Sequence, residues 1–218
     1  MKKIAIILIL ACSINSSAQK YWDNSRPDHR ITVGVRTGLN FSKQYNNEEE
    51  GADKDYRIGY MGGLELDINI VRTLSVNMGL IYTQKGYKSE YSDYRGSMTE
   101  KNNVSYLNIP VLVSYRVKLS DAAQFQLNVG PYFAFGISGK LNVESNFSGL
   151  KNYEIDCFDE YDGLKKSDTG LHIGAGVVYS NVYFGVSYER SLKNVSNATG
   201  ADFRNGCIGI NVGYNINL

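Results

Sequence analysis

The C-terminal run 205–218 constrains the fold more than any other segment. One parity carries Ile208, Ile210, Val212, Tyr214, Ile216 and Leu218, and the other Cys207, Gly209, Asn211, Gly213, Asn215 and Asn217. A strand turns successive side chains to opposite faces, so one face here is wholly apolar and the other small or polar. The run is longer than a typical globular strand and long enough to cross a bilayer at a tilt. It ends on an apolar residue, Leu218. These properties point to the closing strand of an outer-membrane β-barrel.

The N-terminus gives the export route. Lys2 and Lys3 precede the apolar run 4–11, which is too short to span a bilayer as a helix, and Ser16, Ser17 and Ala18 supply small residues for cleavage. The expected organisation is a signal peptide over residues 1–18, a short periplasmic arm over 19–29 and a barrel over 30–218. A second reading stays open: Ile9-Leu10-Ala11-Cys12 resembles a lipobox, in which Cys12 would be lipidated. Without the signal the chain has single-domain size. Its formal net charge of +1 gives no electrostatic support for nucleic-acid binding.

Period-two alternation recurs along the rest of the chain. It predicts strands near 31–43, 57–70, 74–85, 107–117, 125–138, 171–180 and 182–189, besides the closing run. In the first, Ile31, Val33, Val35, Leu39 and Phe41 share a face opposite Thr32, Gly34, Arg36, Gly38 and Asn40. Eight strands satisfy the even number of bacterial single-chain barrels. Short turns fall near 71–73, 119–123 and 180–181, and long polar loops near 44–56, 88–103, 140–168 and 192–204. Short periplasmic turns and long external loops are the outer-membrane arrangement. The expected fold is therefore all-β, an eight-stranded antiparallel up-and-down transmembrane β-barrel.

A soluble lipocalin-like barrel is the main structural rival. It would turn the apolar face inward and need a Lys- and Glu-rich exterior. The second face here is mostly Gly, Ser, Asn and Thr, which suits a crowded axis better than a solubilising surface. The abundance of Gly (22) and Tyr (17) beside only 3 Pro fits the same picture, with Tyr at the membrane interfaces.

Three motifs carry a resemblance. Residues 34–42 read Gly-Val-Arg-Thr-Gly-Leu-Asn-Phe-Ser, residues 106–115 read Tyr-Leu-Asn-Ile-Pro-Val-Leu-Val-Ser-Tyr, and residues 128–132 read Asn-Val-Gly-Pro-Tyr, followed by Ser138-Gly139-Lys140. In this order they resemble the outer-membrane β-barrel domain family of Gram-negative bacteria, described as porin-like or PorT-like. The resemblance implies an integral outer-membrane barrel, assembled by the barrel-assembly machinery among outer-membrane lipid. It implies little about activity. Barrels of this kind commonly end in an aromatic residue, where this chain has Leu218. Pro110 and Pro131 lie inside expected strands and are expected to mark bulges.

The candidate site is the barrel interior. Arg36, Glu65, Asp67, Lys85, Arg116 and Glu189 fall on the inward parity. Charges in a narrow lumen are costly alone, so they are expected to pair and form a solid plug; a selectivity lining for ions is the functional alternative. The expected role is a structural or surface-interaction scaffold, with a narrow porin-like channel or an accessory barrel of a secretion or envelope machine as alternatives. No catalytic residue, metal site or cofactor is expected. His172 near Ser167 and Asp168 is the nearest approach to a catalytic set, and nothing marks Ser167 as a nucleophile. The acidic stretch with Asp156, Asp159, Glu160 and Asp162 lacks EF-hand spacing, and Glu48-Glu49-Glu50 reads as another solvated loop. Tyr91, Tyr94, Tyr153, Phe158 and Tyr161 give the external loops aromatic side chains that suit binding a protein or glycan, or equally packing the loops together. Cys157 and Cys207 permit one disulfide that would pin the longest loop across the mouth, or two separate thiols.

Overall fold

The computed structural model describes residues 22–46, 55–94, 96–147, 152–158 and 163–218, with the side chains of 46, 91 and 93 left out. The expected signal peptide 1–18 with Cys12, the Glu48-Glu49-Glu50 run, Asp159, Glu160, Tyr161 and Asp162, and the Tyr91 side chain lie outside the described residues.

Among the described residues nine strands follow one another: β1 (Ile31–Asn46), β2 (Asp55–Val71), β3 (Leu74–Asp93), β4 (Gly96–Lys118), β5 (Ala123–Ser145), β6 (Tyr153–Asp156), β7 (Ser167–Tyr179), β8 (Val182–Ser191) and β9 (Phe203–Asn217). They pair antiparallel in the order β4-β3-β2-β1-β9-β8-β7-β5, and β4 pairs with β5 to close the ring. Eight strands thus form the barrel. The ninth, β6, hangs on the outer part of β5 through Lys140↔Asp156 to Val143↔Tyr153. Among the described residues no helix is long and apolar enough to cross a membrane.

The two faces decide between membrane and soluble barrel. Leu39, Leu64, Val129, Ile173, Phe184 and Ile210 all stand open on the outside, whereas Arg36 is 2% and Lys85 1% exposed. In water, each open Leu or Phe would forgo about 1.5–3 kcal/mol of burial. The outer wall is therefore a lipid-facing surface, and the lipocalin arrangement is inverted here.

The wall is uneven in height. β4 and β5 have 23 residues each and β8 has 10; at ~3.3 Å per residue that is roughly 75 Å against 33 Å. Residues 88–93 and 96–103, expected within a loop, instead prolong β3 and β4, which stay paired out to Asp93↔Gly96. Part of 140–168 likewise prolongs β5, which stays paired with β4 out to Met98↔Ser145. A sheet of β3, β4, β5 and β6 thus rises outside the apolar belt.

Two irregularities differ from expectation. Pro110 and Pro131 keep their strands in register, with Pro110↔Tyr132 and Pro131↔Leu171. The bulge between β4 and β5 sits higher, where Ser105 faces Ser138 but Tyr106 faces Gly136. Ile137 is the extra residue, and it moves Ser138 to the outside. On the periplasmic side, β7 and β8 are joined by Ser180 and Asn181 alone, and Ser180 adopts φ 54, as a two-residue hairpin turn requires.

Candidate functional site

The lumen is built in layers from the periplasmic end outward. At its mouth, the arm before β1 folds under the barrel. Thr73 Oγ1 donates to Asp23 O (2.9 Å), Arg72 N to Ser25 O (3.2 Å) and Asn69 Nδ2 to His29 O (2.8 Å). Trp22 stacks on Tyr115 with centroids 6.2 Å apart. Between arm and turns lies a cleft of about 450 Å³, lined by Asp28, Asn69, Arg116, Asp121 and Gln124 among others. Hydrogen bonds from Ser25 hold the Asp23 carboxyl below its usual range, and Lys118 does the same for Asp121.

Above the cleft the interior fills with side chains. Arg116 Nη2 lies 2.9 Å from Asp67 Oδ1, and Arg116 also donates to Asn69 Oδ1. Ser114 Oγ and Gln126 Nε2 both donate to Asn128 Oδ1, at 2.6 and 2.9 Å. The next level holds Arg36, whose Nε is 2.9 Å from Glu65 Oε2. That contact is an ion pair without hydrogen-bond alignment. The guanidinium also lies over the Tyr183 ring at 4.4 Å. A Cβ at Gly34 or Gly213 would come within 2.5–2.6 Å of Arg36 Nη1, so these glycines make the room for it.

Past a void of about 30 Å³, large enough for about one water, a second cluster closes the axis. Lys85 Nζ is 2.7 Å from Glu189 Oε2. The other Glu189 oxygen receives Asn108 Nδ2 (2.8 Å) and lies 3.0 Å from His172 Nδ1. Lys85 also sits 4.5 Å over the Tyr132 ring. Tyr132 Oη and Asn205 Nδ2 then donate to Asp168 Oδ2 at 3.2 and 3.1 Å. The six charges expected on the inward parity thus each meet an opposite partner, in the pairs Arg36–Glu65, Asp67–Arg116 and Lys85–Glu189, while Asp168, also inward, is met by the neutral donors Tyr132 and Asn205.

The external end is closed by apolar side chains. Val104, Tyr106, Tyr132, Ala134, Cys157, Leu164 and Val195 form one buried cluster, with Leu141, Phe158 and Phe203 packed against it. Phe158 meets Tyr106 edge to face at 6.4 Å. Its ring occupies the space that side chains at Gly136 and Gly139 would need. The β6–β7 and β8–β9 connections are tied by Lys165 N→Val195 O (2.8 Å), Asn197 N→Gly163 O (2.9 Å) and the bridge Leu164↔Ser196. Asn194 Oδ1 organises the second connection by accepting from Ser196 N and Phe203 N.

The remaining candidates fall apart from one another. Cys157 and Cys207 are separate buried thiols, not a disulfide. Pairing of β6 with β5 seats Cys157 beside Asn102, to which its Sγ donates at 3.4 Å, whereas Cys207 is fixed in β9 between Ser42 and Glu189. The cap closes through packing rather than through a covalent staple. Burial, then Asp156, pushes the Cys157 thiol up to about 11. Ser167 is exposed on the outer parity, while Asp168 and His172 point inward, so the three form no nucleophile–base set. Among the described residues no cluster of His, Cys, Asp or Glu is arranged to hold a metal. Sequence reasoning missed the apolar cap, and it missed Asp168 and His172 as lumen partners; the inward parity of Asp168 and Tyr132 was the available signal.

The sequence profile of the outer membrane protein β-barrel domain family matches residues 17–197. The chain belongs to this family. It is an integral outer-membrane protein, and its apolar wall stands in outer-membrane lipid. The family match stops before β9, which the fold supplies as the closing strand. Ail of Yersinia pestis, in complex with the heparin analogue sucrose octasulfate, is similar at 14% identity and TM-score 0.43, over 86% of this chain and 99% of that one. OprG of Pseudomonas aeruginosa is similar at 10% identity and TM-score 0.43, over 90% and 100%. Neisserial surface protein A is similar at 13% identity and TM-score 0.40, over 84% and 96%. No curated protein matches the sequence.

Proposed function

We propose that this protein is a non-enzymatic scaffold: a barrel with a closed lumen that anchors an external sheet and loops for surface interaction. Residues 1–18 direct its export, and the barrel-assembly machinery inserts it. The observation that carries this reading is the Lys85–Glu189–His172 cluster lying directly beneath the apolar cap. A permeating ion would have to displace a Lys that is 1% exposed and paired at 2.7 Å. Removing either partner strands a buried charge, so the cluster resists opening.

The external sheet supports the interaction role. β6 is exposed along its whole length, with Tyr153 and Ile155 open to solvent, and Tyr94 stands exposed at the tip of the β3–β4 hairpin. Such aromatic surface suits a protein or glycan partner. Liposome swelling tests the reading. Vesicles containing the protein are expected to exclude small sugars as protein-free vesicles do; swelling in small sugars would replace the scaffold with the channel alternative.

A further inference from the structure

Just outside the apolar belt, two cations share one aromatic ring on the lipid-facing wall. Lys43 and Arg190 both pair with Gly206, so they lie on one level across β1, β9 and β8. The level beneath is Phe41–Ile208–Tyr188, and the one below that Leu39–Ile210–Val186. Lys43 has the outward parity of Leu39 and Phe41, and Arg190 that of Val186 and Tyr188.

Tyr45 holds the two together. Its ring lies across Gly206, where a Cβ would come within 2.6 Å of it. Arg190 Cζ sits 3.9 Å over that ring, and Lys43 Nζ lies 5.9 Å from it and 5.8 Å from the Tyr56 ring. These are cation–π distances. A guanidinium over a ring face keeps N–H donors that the ring does not use for an oxyanion. Among the described residues no carboxylate lies within ion-pair distance of Lys43 or Arg190. Arg204, one rung further out opposite Tyr45, is paired with Asp202 at 3.0 Å and is not part of the set.

We infer that Lys43, Arg190 and Tyr45 bind the phosphate of an outer-leaflet lipid headgroup. Placement selects a lipid over a free ion. The cations stand where the aliphatic wall ends, at the depth of the headgroups, and the strip from Phe41, Ile208 and Tyr188 downward takes the acyl chain. Charge complementarity is two cations, with no carboxylate among the described residues at ion-pair distance, against one phosphate.

Native mass spectrometry of the full protein, released from mild detergent, tests this with lipid A, dephosphorylated lipid A and inorganic phosphate as probes. Lipid A is expected to be retained in preference to its dephosphorylated form. The variant Lys43→Gln/Arg190→Gln is expected to lose roughly thirtyfold in affinity, the product of two surface cations. Lys43→Arg is expected to keep it. Heat-dependent gel mobility checks that each variant is folded, and either single Gln variant serves if the double one is not. Equal retention of both lipids, or unchanged retention by the folded variants, would overturn the inference. Competition by inorganic phosphate as effective as lipid A would overturn the lipid assignment in favour of a simple anion site.

Discussion

At the scale of single residues, the buried charges determine what the interior tolerates. Glu189 touches Lys85, Asn108 and His172 at once. Glu189→Gln leaves the Lys85 ammonium buried without its counter-charge, and is expected to destabilise the barrel by about 3–5 kcal/mol. Adding Lys85→Met removes the stranded charge and is expected to restore most of that loss. Urea titration of the folded, heat-modifiable gel band measures both beside Lys85→Met alone; a double-variant loss equal to the sum of the two single losses would show that the pair is not coupled. The Cys157 thiol gives a second expectation. Its folded value of about 11 lies above the roughly 8.5 of an unfolded thiol. Burial of the neutral thiol thus contributes stability below about pH 8.5, and the contribution is lost as pH rises through 11. Near pH 8 iodoacetamide is expected to spare Cys157 in the folded protein and to label both it and Cys207 after unfolding without reductant. Labelling of neither in the unfolded, unreduced chain would reveal a disulfide.

At the scale of elements, the barrel wall was legible in the sequence and its extension was not. Between Ile31 and Phe41, or Ile208 and Ile216, apolar and small residues alternate because lipid lies on one side and a crowded axis on the other. Beyond the belt both faces of β3, β4 and β5 meet water or loops. Segments such as Lys88-Ser89-Glu90 and Glu100-Lys101-Asn102-Asn103 then read as polar loops although they are paired strands. The inward parity of the six charges was equally visible. Which cation meets which carboxylate was not, since that depends on the stagger between strands far apart in sequence, as for Lys85 and Glu189. The bulge at Ile137 also defeats parity, turning Ser138 outward. The cap is held by tertiary packing alone, which no periodicity reports. Phe158→Ala is therefore expected to weaken it by about 3 kcal/mol, the low end for a buried aromatic. Openings should become roughly a hundredfold more frequent and be read as faster labelling of Cys157. An unchanged labelling rate, with the barrel still folded, would remove Phe158 from the closure.

At the scale of the whole molecule, the interior is closed twice and open once. The periplasmic end offers a polar cleft of about 450 Å³ beneath the folded-back arm. Three ion pairs and the apolar cap separate it from the outside. The tall β3–β5 wall then carries its sheet into the external medium, while the short β8 wall ends near the basic level of Lys43 and Arg190. The proposed closed lumen does not conduct, and single-channel recording of the purified protein in planar bilayers tests this. No steady conductance is expected for the native protein at any holding potential that the bilayer withstands. A steady, reproducible conductance whose ion selectivity reverses in Lys85→Glu would contradict it, and would make the charged interior an ion path instead of a plug.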